Sequence, residues 1–370
     1  MNRRYNFIDI SRGIATLFMI ETHVLNSILK LDLRKNIFYD IITFFNGLVA
    51  PLFLFVSGFT FFITTINKKD DLRKLRKPFW KTLGKILLLF VLGYSLHLPY
   101  PSLHNILRYT SEDQWLKFYG IDVLQCIGLG LLIILLLRTL ISNDKIYSYS
   151  ILIVGTIIFF ATPIVNKLKL DFLPVPILVY IKDINYSLFP IFPWLSYILL
   201  GTFFGYLYFI HKENNEISFS NKVVKYSLIT SIVSAILFYF LLNENSKTSY
   251  SFFALKFSLV ILIVFLFNIV SLKHQKSFKI IEKFGSYSLL VYWFHLVLLY
   301  KKIKDNQSIV ELIGYSADFL TSFIISFIIA FSCLGLILVW ETLKTKKIYK
   351  YGILYGLLFS FLYIFLFTYY

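Results

Sequence analysis

The sequence predicts an all-α protein, a polytopic membrane bundle of about eleven transmembrane helices around a polar cavity. Three observations carry this prediction. Hydrophobic residues make up 58% of the 370 positions and the mean hydropathy is +0.72, above the usage of a soluble domain. The apolar residues fall in runs of about 20, the length at which a helix crosses a bilayer, rather than in the short alternating segments of a transmembrane barrel. The first run, IDISRGIATLFMIETHVL, nevertheless holds Asp9, Arg12, Thr16, Glu21 and His23. Ionisable groups are costly inside a membrane, so an aligned set of them implies an interior cavity.

The predicted spans are Ile8–Leu29, Tyr39–Ile66, Phe79–Leu98, Tyr119–Leu140, Ser148–Val165, Phe189–Ile210, Val223–Leu242, Phe252–Ser271, Ser286–Tyr300, Ile313–Trp340 and Tyr351–Phe367. The first is expected to persist as a span, because no small-residue cleavage site follows it. In the second, Pro51 removes a backbone donor and predicts a bend, while Asn46, Ser57 and Gly58 are expected to face the first span. The sixth carries Gly201 and Gly205 four residues apart, a face for close packing. The ninth is short, and the tenth is long enough to tilt or to extend past the bilayer. With no Gly/Ser linker, residues 1–370 read as a single transmembrane domain. Cys126 and Cys333 both fall in predicted spans, which suits neither a disulfide framework nor a metal site.

The formal net charge of +17 does not read as nucleic-acid binding. Lys and Arg lie in the loops between spans, with the excess on the amino-terminal side. That bias places the amino terminus in the cytoplasm and, after eleven spans, the carboxyl terminus outside. The loop LYKKIKDNQ dissents, being basic yet predicted outside. The lipid bilayer is the first partner implied.

At about 100° per residue, Asp9, Arg12, Thr16 and His23 fall within roughly 40° of one line along the first helix. His23 alone among them titrates near neutral pH. It lies about 21 Å beyond Asp9 along the axis, in the outer half of the membrane. An imidazole there can take a proton from a hydroxyl or amine arriving from outside; a structural histidine bonded to a neighbouring helix is the competing reading. Glu21 lies about 160° round the helix from His23 and is expected to bond another helix or stay protonated. Asp9 and Arg12 form an i,i+3 pair that neutralises itself at the cytoplasmic mouth.

Two further segments carry candidate chemistry. The loop NKKDDLRKLRKPFWK places Arg73 and Arg76 three apart among lysines. Guanidinium groups pair with phosphate oxygens in two-pronged geometry, so the loop suits a nucleotide-like donor; ordinary positive-inside charge explains it as well. The ninth span puts Ser288, Tyr292 and His295 on one helical face, lining the cavity or bonding between helices. His97 and His104 flank the second outer loop, where contact with an outside substrate is one reading and a solvated loop the favoured one. The chain has no GxSxG, HExxH or Walker pattern and no cluster with metal-ligand spacing. Hydrolase, zinc protease and ATPase readings therefore lack support.

Five pieces in sequence, IDISRGIATLFMIETH, APLFLFVSGF, GIDVLQCIGLGLL, FPWLSYILLGTFFG and GSYSLLVYWFH, resemble the catalytic-domain family of heparan-α-glucosaminide N-acetyltransferase and its bacterial members. The first piece and the RKLR pattern are also similar to the broader transmembrane acyltransferase superfamily that O-acylates bacterial surface glycans. That superfamily has a histidine after its RG motif, here His23, and an RxxR on a cytoplasmic loop, here Arg73 and Arg76. The resemblance implies acyl transfer across a bacterial plasma (inner) membrane. The donor would be cytoplasmic acyl-CoA, acetyl-CoA by default, and the acceptor a hydroxyl or amine of an extracytoplasmic carbohydrate, with no permanently bound cofactor. In this frame His23 is the general base, and Arg12, Arg73 and Arg76 hold the donor. Asp9, Thr16, Asn46, Ser288, Tyr292 and His295 shape the cavity. The animal branch has asparagine at the His23 position and its histidine in the following outer loop. Here that loop, LKLDLRKNIFYD, has none, so the match at this position is closer to the glycan O-acyltransferases. A transporter or flippase using the polar stripe as a permeation path is the rival class; the inverted repeat such proteins often carry is not evident.

Overall fold

The computed structural model describes residues 5–100, 102–170, 172–182, 184, 187–240, 250–273, 278–301, 307–346 and 365–366. Among them the chain is an all-helical bundle, with eight helical stretches long and apolar enough to cross a membrane. The helices that build the site are α1 (Asn6–Ile28), α2 (Ile37–Asn46), α3 (Val49–Thr65), α4 (Lys77–Leu96), α5 (Val123–Leu140) and α6 (Asp144–Lys167). They are followed by α7 (Ile191–Glu213), α8 (Asn215–Phe240), α9 (Tyr250–Lys273), α10 (Lys279–Ser286), α11 (Ser288–Tyr300) and α12 (Phe319–Thr345). The first ten predicted spans all contain helix. The eleventh lies almost wholly outside the described residues.

Helix α1 is long enough to span but too polar for its composition alone to mark it. Its carboxyl-terminal end is tied down twice. The Arg34 guanidinium donates to the carbonyls of Leu25, Asn26 and Leu29 at the end of the helix, where carbonyls run out of intrahelical donors. The Lys30 amide donates to Ala317 O at 2.9 Å, and the Ala317 amide to Ile28 O at 3.1 Å, joining α1 to the segment that enters α12.

The second predicted span is two helices, and the break is not at Pro51. It falls at Gly47 and Leu48, between α2 and α3. Pro51 sits in the first turn of α3, where its missing N–H would have found no intrahelical acceptor anyway. The expected loop between the sixth and seventh spans is also replaced. The chain is helical from Ile191 to Phe240, turning at Asn215 (φ −165°, ψ 80°). The linking residues HKENNEISFSNK contain neither Gly nor Pro, and Asn215 restarts the helix by accepting from the Ser218 amide at 3.0 Å. At the other boundary, Gly314 in the left-handed region (φ +57°) detaches the short helix Ile309–Ile313 from the tenth span.

Two backbone crossings set the frame. A Cβ on Gly13 of α1 would lie 1.9 Å from Ile281 O, and one on Gly285 1.8 Å from Asp9 O. Helices α1 and α10 therefore meet main chain to main chain. Likewise, a Cβ on Gly58 of α3 would lie 1.9 Å from Ile198 O of α7, and one on Gly201 2.1 Å from Phe55 O. Gly201 thus serves the close packing expected of it. Gly58 faces α7 and not the first span, because α7 supplies the small residues that let two backbones touch. Phe7, Phe55, Phe59, Tyr208 and Phe265, each 2% exposed or less, fill the core on one side of α3.

Candidate functional site

A cavity of about 810 Å³ opens among α1, α3, α4, α5, α10 and α11, within the range of small-molecule sites. It is amphipathic. Lys68, Lys77 and Lys81 line it on the face that carries the amino-terminal end of α1, and Lys85 and Arg12 add two cations along its wall. Phe53, Phe61, Ile86, Leu89, Ile127 and Leu131 supply apolar wall. Arg12 is held there by donating to Thr60 Oγ1 at 3.2 Å. Thr60, Ser57 and Thr64 follow one another on α3 at helical spacing and also line the cavity.

The far end of the cavity reaches Val123 and Tyr292, and there the polar groups gather. The Tyr292 hydroxyl donates to the Asp122 carboxylate. Asp122 is the N-cap of α5: its Oδ1 accepts from the Val123 amide at 2.7 Å, and the Gln125 side chain accepts from the Asp122 amide at 3.3 Å. His97, from the end of α4, brings Nε2 to 3.9 Å from Asp122 Oδ2, with Nδ1 3.1 Å from Lys117 O.

His295 lies one turn beyond Tyr292 on α11, its ring 5.8 Å from the Tyr292 ring and 5.2 Å from that of His23. His295 Nδ1 is 2.8 Å from Val291 O. A carbonyl only accepts, so Nδ1 carries the hydrogen and the Nε2 lone pair is left. That nitrogen is buried and has no hydrogen-bond partner among the described residues. The His23 ring stands between His295 and Tyr300, and Tyr300 is fixed by a 2.6 Å hydrogen bond to Ser27. An imidazole with a fixed tautomer and a free second nitrogen is equipped to accept a proton.

The sequence candidates divide accordingly. Arg12, Ser288 and Tyr292 line the cavity, and behind Tyr292 stand His295 and, against it, His23. Asp9 lies at the α1–α10 crossing, where its carbonyl opposes Gly285. Thr16 is fully buried and its hydroxyl donates to Arg12 O at 2.7 Å, within its own helix. Asn46 sits apart, in a separate pocket of about 190 Å³ with Thr22, Asn26, Tyr39 and Thr43. Arg73 and Arg76 are exposed, and Arg76 Nη1 pairs with Asp71 at 3.1 Å; the residues of this loop that line the cavity are Lys68, Leu72, Lys77, Pro78 and Lys81. Two residues of the cluster escaped the sequence reading. His97 reaches the cluster at 21% side-chain exposure and is not a solvated loop residue. Asp122 carried a legible signal: an Asp followed three residues later by Gln before an apolar run is a capping box.

A bundle of spanning helices enclosing a basic cavity that reaches Tyr292, one turn from His295, defines a multi-pass membrane protein with an interior cavity. The family described as heparan-alpha-glucosaminide N-acetyltransferase, catalytic, matches residues 4–245. The chain belongs to this family, and its class is membrane acetyltransferase. No curated protein sequence matches the chain. The matched region spans α1 to α8, and so includes Arg12, His23, the cavity lysines and Asp122; Tyr292 and His295 lie beyond it.

Proposed function

We propose that the protein moves an acyl group, acetyl by default, from cytoplasmic acyl-CoA to a hydroxyl of an extracytoplasmic glycan in a bacterial plasma membrane, with an amine as the less favoured acceptor. The observation that carries this reading is the continuity of one cavity from a cluster of lysines to Tyr292, which is hydrogen-bonded to Asp122 and one turn from the His23–His295 pair. The cations suit the phosphates of CoA, as point charges from Lys68, Lys77 and Lys81 and as a planar fork from Arg12. The apolar walls suit the pantetheine arm, whose thioester then points toward Tyr292.

In the reaction, an imidazole Nε2 takes the acceptor proton as the acceptor oxygen attacks the thioester carbonyl carbon. The tetrahedral adduct collapses with cleavage of the C–S bond, and the CoA thiolate takes up a proton. His23 is the first choice of base because it stands on α1 in line with Arg12 toward the outer side. His295 is its immediate neighbour, with an unbonded nitrogen. Asp122 and Tyr292 hold the floor of the site.

The test is purified protein reconstituted with radiolabelled acetyl-CoA on the cytoplasmic face and oligosaccharide acceptors on the other. Label in the acceptor compartment, dependent on His23 or His295, supports the reading. Protein that fails to bind CoA at all, or that carries labelled donor across intact, overturns it.

A further inference from the structure

A charged cluster beside the cavity has no part in the chemistry above. Arg138, in the last turn of α5, is 1% exposed. Its guanidinium pairs with Asp144 at the start of α6 and lies 4.6 Å over the Tyr147 ring. Tyr147 is itself pinned, its hydroxyl donating to Ile134 O at 3.1 Å. The other Asp144 oxygen accepts from Lys69 Nζ at 2.7 Å. One carboxylate therefore joins a cation sunk in the bundle to a cation on the segment that borders the cavity.

Lys69 opens a five-residue helix, Lys69–Arg73. Lys68 on one side of Lys69, and Leu72 within the helix, both line the cavity. Leu72 is fully buried. The helix ends in a turn that forces Leu75 into the left-handed region (φ 50°), a conformation that costs a branched side chain energy. Burying Arg138 is also costly, and a buried pair is a poor stabiliser compared with an apolar one. Stability alone is thus a weak reason for placing these charges here.

We propose that Lys69, Asp144 and Arg138 form a latch that sets the position of the Lys68–Leu72 wall, making Lys69 and Asp144 positioning residues for the nucleotide end of the donor. This rests on the acyl-CoA reading above. The latch touches no reacting atom, so it acts on donor affinity and leaves the chemical step alone.

Lys69 is the residue to change, because it is about a third exposed and its loss leaves the Arg138–Asp144 pair intact. Lys69→Ala should raise KM for acetyl-CoA roughly two- to fivefold, as expected for a partly exposed ion pair, with kcat unchanged. Lys69→Arg should restore the parent KM. A second readout needs no donor: in a Ser57→Cys background, Lys69→Ala should speed labelling of the cavity thiol by a water-soluble maleimide. Unchanged KM and unchanged labelling in Lys69→Ala would remove the latch. A fall in kcat at constant KM would remove it too. If the parent does not bind acetyl-CoA, the donor reading fails, and the labelling rates still decide whether the latch holds the wall.

Discussion

The rings of His23 and His295 lie 5.2 Å apart, inclined at 47°, although one belongs to the first helix and the other to the eleventh. In the proposed mechanism either imidazole can serve as the base. His23→Ala should lower acetyl transfer by roughly 10²–10⁴-fold, the usual contribution of a general base, while CoA binding persists. His23→Asn keeps a hydrogen-bonding nitrogen without basicity and should behave like the alanine variant. If transfer by His23→Asn stays near the parent rate while His295→Asn abolishes it, the base is His295.

Asp122→Asn should keep the α5 N-cap, since asparagine caps as well as aspartate. It removes the anion from Tyr292 and His97. Thermal stability is expected to change little, whereas kcat should fall. Equal losses in stability and in activity would reduce Asp122 to a capping residue.

The cavity cations and the exposed arginines can be told apart. Lys77→Ala combined with Lys81→Ala should weaken CoA binding, and Arg12→Lys should do so because an ammonium cannot replace the planar fork. Arg73→Ala with Arg76→Ala tests the RxxR pattern directly. Calorimetric titration with CoA ranks the three. If only the arginine pair matters, the loop rearranges around the donor so that Arg76 leaves Asp71.

Gly13→Ala and Gly285→Ala each put a methyl group against main chain, where neither a rotamer change nor a flexible neighbour offers relief. Overpacking of a tight contact costs about 1–3 kcal/mol, and here the backbones themselves must part. Both variants should lower the melting temperature and the yield of folded protein. Gly84→Ala, where a Cβ would meet nothing within 4 Å, is the matched control.

The charge bias predicts orientation. Reporter fusions at Lys69 and Lys145 should read cytoplasmic, and one at Asn36 external. An external signal at Lys69 would turn the cavity lysines away from the cytoplasm and its acyl-CoA.

The helical class and eight of the predicted spans were legible because hydropathy over about 20 residues is a strong, local signal. The convergence of His23, Tyr292 and His295 was only partly so. Helical spacing put Tyr292 and His295 on one face, but no periodicity says which face of α1 meets which face of α11. The break at Gly47–Leu48 was misplaced at Pro51, since a proline reads as a bend unless its position within the turn is known. Arg73 and Arg76 stood out as a pattern while the lysines beside them line the cavity, because a positive φ at Leu75 reverses the chain and folds Arg76 back on Asp71. Such a reversal depends on tertiary context and leaves little trace in composition.

The Gly13–Gly285 contact also has a mechanical meaning. Two helices whose main chains already touch cannot slide or roll past each other without collision, so α1 and α10 must move as one body. Any opening that admits a donor or an acceptor then has to come from parts hinged to that body. The turn at Lys74–Leu75 lies between Leu72 and Lys77, both of which line the cavity. By the same kind of contact α3 and α7 are locked together, so the cavity is framed by two rigid helix pairs and the give lies in the segments that join them.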